Sequence, residues 1–232
     1  MVRITRLVQQ RSMSETTIDI REATLREFED FIFDHAVHGI GSDMVWYHQF
    51  DLVIHYDAAH SAQRLIELFR NAHSLPSKYD QAKLEQGCWA LFGAGFDGNL
   101  NDLIWKSDIP LEAKEALISS MFFMYRDLFA LDPLGEACEM WWDGLAYDIN
   151  PMRRVDPANN SAHKRIQNVM FETLSKILKL DSDDCQLAAL HGLSHVFHPE
   201  TKSVVNDFVR RNPNLSDEYV EYATLCANGQ AM

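Results

Sequence analysis

Proline and glycine are sparse, seven and ten residues in 232, and nowhere do they gather with serine into a linker. That excludes a low-complexity chain and removes any boundary at which it would divide. A single domain over residues 1–232 is expected, with 1–15 as a loosely attached arm. Cysteine is scarcer still. Cys88, Cys138, Cys185 and Cys226 lie far apart and make no Cys-x-x-Cys pair, so buried thiols on apolar helix faces are expected. No apolar run approaches the length of a membrane span, and Met-Val-Arg-Ile-Thr-Arg-Leu-Val at the start lacks the apolar centre of a signal peptide. A cytoplasmic protein with no membrane partner is the expectation. Positive charge is short as well: 21 lysines and arginines face 34 aspartates and glutamates, for a net charge of -13 and a pI near 5.1. Such a chain repels nucleic acid and anionic lipid, which argues against a nucleic-acid partner and suits a basic protein partner.

What remains is helix-forming sequence. Thr24 with Glu27 three residues on is a capping box, and Leu25, Phe28, Ile32 and Phe33 follow at helical spacing. Asp57 opens a helix with Ala62, Leu65, Ile66, Leu68 and Phe69 inward, and Tyr79 to Phe92 forms another. Pro110 suits a first helical position, and its helix to about Leu131 is apolar nearly all round in its middle, which marks a central element. Asp132-Pro133 predicts a helix to about Asp148, and Asp156-Pro157 another. Ser182, His198-Pro199 and Ser216 start the last three. No stretch alternates with period two for long, so a sheet is not expected, although Val53-Ile54-His55-Tyr56 has an extended look. The fold class is all-α, about ten helices with short connections.

The run Asp183-Asp184-Cys185-Gln186-Leu187-Ala188-Ala189-Leu190-His191-Gly192-Leu193 resembles the second helix of a HEAT-type repeat. Ala188, Ala189 and Gly192 stand at or near that family's small positions, and Cys185-Gln186 stands where a Val-Arg pair is usual. The resemblance centres on residues 183–228. It implies an α-α superhelix of HEAT-like hairpins with a concave binding face.

Candidate chemistry is thin. At 100° per residue, Asp184, Leu187, His191, His195 and His198 share a stripe, and a stripe of that kind facing solvent or a groove is the candidate partner-binding surface. Histidines four apart can share a metal, and His191, His195 and His198 would carry a metal-dependent hydrolase in the alternative reading. The glutamate of His-Glu-x-x-His is absent and no separate acidic ligand is assignable, so no metal, no cofactor and no catalytic residue is expected. Met140, Tyr147, Arg153 and Arg154 form a second candidate surface. Trp141 and Trp142 read as core. Between Met152 and Leu180 six basic residues face two acidic ones, a net of +4, leaving -17 for the rest; this reads as a solvated face or a patch for an acidic ligand. Gly93-Ala94-Gly95-Phe96-Asp97-Gly98 fits Gly-x-Gly-x-x-Gly but follows a helix, not a strand, and so reads as a helix end and turn. Asp181, Asp183 and Asp184 suit a helix start by the helix dipole. The function expected from charge and fold class is an acidic protein-binding module, of the inhibitor or immunity type, that neutralises a basic partner.

Overall fold

The computed structural model describes residues 16–39, 42–48, 52–92, 96–146 and 156–231. Helix dominates, as the periodicity requires. In chain order the helices are α1 (Leu25–Phe33), α2 (Ala58–Arg70), α3 (Gln81–Phe92), α4 (Leu111–Met124), α5 (Ala137–Met140), α6 (Asp143–Ala146), α7 (Ser161–Ile177), α8 (Asp183–Val196), α9 (Thr201–Arg211) and α10 (Asp217–Ala227). The chain is therefore all-α with about ten helices. The expected caps carry it. Thr24 and Glu27 make both halves of the capping box, and Asp57, Ser182 and Ser216 each accept the backbone N–H three residues on.

The helix from Pro110 is central. Its Leu117, Ile118, Met121 and Met124 are fully buried. α4 packs on α2 to one side and α7 to the other, and a π-helical turn over Tyr125–Phe129 prolongs it. In the C-terminal half α7 packs on α8 and α9 on α10, while α8 also meets α10 and the short α5 and α6.

Three expectations need correction. Asp132–Asp148 is not one helix. Leu134 (φ 52°) and Gly135 (φ 63°) are both left-handed, and among the described residues from there to Ala146 only the short α5 and α6 form. The break lets the adjacent Trp141 and Trp142 both enter the core, at 1% and 0% exposure, with Trp141 Nε1 donating to the Cys88 carbonyl at 3.0 Å. α7 does not open at Asp156-Pro157; it begins at Ser161 with Asn160 as its cap. The Asp156 carboxylate instead accepts the N–H groups of Ala158 and Asn159, closing a turn that competes with helix. A small sheet does exist: β1 (Thr16–Asp19) pairs in parallel with β2 (Leu52–His55), Thr16 opposite Leu52 and Asp19 opposite His55. Two four-residue strands rich in β-branched side chains are too short to show alternation.

Candidate metal centre

The site is made by one glycine and three donors. α8 carries His191 and His195 one turn apart, so their rings leave the helix on one side, 40° and about 6 Å apart. Across from them runs the Trp141-Trp142-Asp143 segment. Contact is close because residue 192 has no side chain. A Cβ there would lie 2.7 Å from Leu174 Cδ2, 2.8 Å from Trp142 Cγ and 2.9 Å from Trp142 Cβ. On the small face expected of this helix, Gly192 is thus the point of contact with Trp142 and with Leu174 of α7. Next to Trp142, Asp143 opens α6 and points its carboxylate at the histidines.

The distances are short on every edge. His191 Nε2 lies 2.6 Å from Asp143 Oδ1, His195 Nε2 lies 3.1 Å from His191 Nε2, and His195 Nε2 lies 3.3 Å from Asp143 Oδ1. On the far side of the ring, His191 Nδ1 is 3.1 Å from the Tyr222 hydroxyl of α10 and 3.7 Å from Glu139 Oε1 of α5. The side chains are graded in depth: His191 is 5% exposed, His195 16%, Asp143 25% and Glu139 48%. The centre is closed at His191 and open to water at Asp143.

Protonation follows from that arrangement. Burial pulls His191 down, but the hydrogen bond and charge of Asp143, with Glu139 behind, outweigh it and leave its pKa raised. Burial lowers His195, the neighbouring His191 lowers it further, and Asp143 only partly offsets this. A proton held by the pair therefore resides on His191. Burial pushes the Tyr222 hydroxyl well above its ordinary value, so it stays a phenol able to donate or accept. Burial likewise pushes the Cys226 thiol up to about 12, which keeps it protonated and out of the donor set.

These three donors suit a divalent ion. Zinc bonds of about 2.0–2.1 Å in tetrahedral geometry set donors about 3.3 Å apart. One edge of the triangle has that length and a second, at 3.1 Å, is close to it. The third, between Asp143 and His191, is shorter because the two are joined by a hydrogen bond. Among the described residues this is the one group of three or more His, Cys, Asp or Glu donors gathered within 4.8 Å.

The expected stripe fares unevenly. His191 is buried at 4% and does not face solvent or a groove. The reason is the reach of α5, α6 and α10, which pack over that part of α8. Asp184 is exposed, and Leu187, His195 and His198 are half-buried. His198 does not join the pair: it stacks on Phe171 of α7 with ring centroids 4.0 Å apart, and its Nε2 meets Asn168 Oδ1 at 3.2 Å. The third donor is Asp143, which no local motif marks. The one hint was an acid beside a tryptophan pair, opposite a glycine inside a helix. Of the second candidate surface Met140 is half-buried, while Tyr147, Arg153 and Arg154 lie outside the described residues, as do Gly93, Ala94 and Gly95. In the basic stretch Lys164, Lys176 and Lys179 are exposed, and Arg165 pairs with Glu112 and Glu115 of α4. No family model matches the chain, and no match was found among curated proteins or solved structures.

Proposed function

We propose that this protein is a metal-dependent hydrolase in which Asp143, His191 and His195 hold a zinc-class divalent ion. The observation that carries the reading is the triangle of two imidazole Nε2 atoms and one carboxylate oxygen, with edges of 2.6, 3.1 and 3.3 Å. Three protein donors are the number a catalytic zinc site uses, and the 25% exposure of the Asp143 side chain gives the group access to solvent. A zinc-class ion held by these residues would supply Lewis-acid activation of water at neutral pH. Two nitrogens and one oxygen suit zinc better than the oxygen-seeking calcium or magnesium. The test is calorimetric titration of chelator-stripped protein with Zn²⁺, then hydrolysis of an activated ester by the loaded protein. One ion per chain and zinc-dependent turnover are expected, both lost in Asp143→Asn with His195→Ala. Equal zinc uptake by parent and variant would remove the reading.

The net charge of -13 favours a second reading, an acidic protein-binding module of HEAT-like hairpins that neutralises a basic partner. The pairing of α7 with α8 and α9 with α10, and the contact of α8 with α10, support the hairpin part of it. Asp184, Leu187, His195 and His198 are then the contact residues. A stoichiometric complex with a cationic protein, loosened by salt and unaffected by chelator, is its expected signature; a complex that needs zinc and ignores salt speaks against it.

A further inference from the structure

His191 is held from both ring nitrogens, and the second hold comes from the C-terminal helix. An imidazole that ligates an ion through Nε2 must carry its proton on Nδ1, and that N–H needs an acceptor; groups supplying one raise ligand basicity and fix ring orientation. At Nδ1 of His191 stands the hydroxyl of Tyr222, 3.1 Å away, with the Glu139 carboxylate at 3.7 Å. Tyr222 is half-buried where α10 packs on α8. We propose that Tyr222 is the positioning residue of the metal centre, its oxygen accepting the Nδ1 proton of His191 when Nε2 holds the ion, so that metal loading fastens α10 onto α8. The inference rests on the metal reading above.

The hydrogen bookkeeping closes. In the neutral metal-free ring Nε2–H donates to Asp143 and the Tyr222 O–H donates to Nδ1. When the ion binds, the ring proton passes from Nε2 to Nδ1 and the Asp143 oxygen exchanges that hydrogen bond for a metal bond. The Tyr222 hydroxyl rotates from donor to acceptor, its own O–H turning to the sulfur of Cys226, with which it also hydrogen-bonds. No proton is gained or lost by the neutral ring, and no bond to carbon changes. A phenol does this without cost in charge, because its oxygen serves in both roles. A phenylalanine has the same ring and no such oxygen.

Tyr222→Phe is therefore the informative variant, studied in the full chain with Zn²⁺ alone as ligand. Its zinc affinity is expected to fall about 10- to 100-fold, the usual effect of losing an outer partner of a metal-bound histidine. Two further readouts separate positioning from general packing. Nitrogen-15 spectra of the zinc-loaded parent should show His191 protonated at Nδ1 and bound at Nε2. Amide exchange of Asp217–Ala227 should slow when zinc is added to the parent, and change little in Tyr222→Phe. Zinc bound equally tightly by both proteins, or α10 exchange indifferent to zinc in the parent, overturns the positioning role and leaves the metal site standing. A parent that takes up no zinc overturns both. Should the variant fail to fold, the spectra and exchange of the parent decide alone.

Discussion

Gly192 sets how near α8 comes to the tryptophan segment. Alanine would favour the helix by about 1 kcal/mol over glycine. Overpacking of a filled core costs about 1–3 kcal/mol. Both neighbours of the added methyl, Trp142 and Leu174, are fully buried, so neither has open space to move into. The second term wins, and Gly192→Ala is expected to lower the midpoint of thermal unfolding. It should also weaken zinc uptake, because the group pushed away is the neighbour of Asp143. His198 gives a second prediction at this scale. Its Nδ1 accepts the N–H of Glu200 at 3.2 Å, so the ring is neutral, and burial lowers its pKa. A histidine lowered in the fold contributes stability that is fully present above the unfolded value of about 6.5. That stability is lost as pH falls through the folded value. His198→Gln keeps a donor and an acceptor, and should show a smaller drop in unfolding temperature between neutral and acidic pH than the parent.

At the scale of elements, what was legible was whatever is written locally. Thr24, Asp57, Ser182 and Ser216 announce their helices because a cap is a contact three residues long. Ser182→Ala should cost about 1 kcal/mol in denaturant unfolding, and Ser182→Asp almost nothing, since either oxygen meets the Cys185 N–H. The centrality of α4 was legible too, since it is apolar on more than one side. The helix break at Leu134 was not: it goes with the burial of two adjacent tryptophans, Trp141 and Trp142, which helical spacing alone does not reveal. Nor was the third donor. Asp143 meets His191 across 48 positions of chain, and nothing near either residue encodes the other. Periodicity placed His191 on one stripe with His195, but His191 itself, expected to face solvent or a groove, is buried. A helix wheel knows which residues share a face and not what covers that face; here α10 and the α5–α6 segment do.

For the molecule as a whole, the centre ties together elements that the chain order keeps apart. On the proposed metal reading, an ion held by α6 and α8, with α10 behind, would stabilise the native state by mass action, about 2.7 kcal/mol when zinc stands at a hundred times its dissociation constant. The unfolded chain competes for the same ion, since unfolding frees four buried cysteines and the buried His191. Two opposite effects follow. In the parent the native site is preorganised and binds the more tightly, so zinc should raise the unfolding temperature. In Asp143→Asn with His195→Ala the native term is gone while most of the unfolded-state ligands remain, and zinc should lower the unfolding temperature. The sign of the shift, read by differential scanning with and without zinc, therefore separates a built site from scattered surface histidines. Scattered ligands free in both states would shift parent and variant alike, and that outcome would remove the native centre from the account.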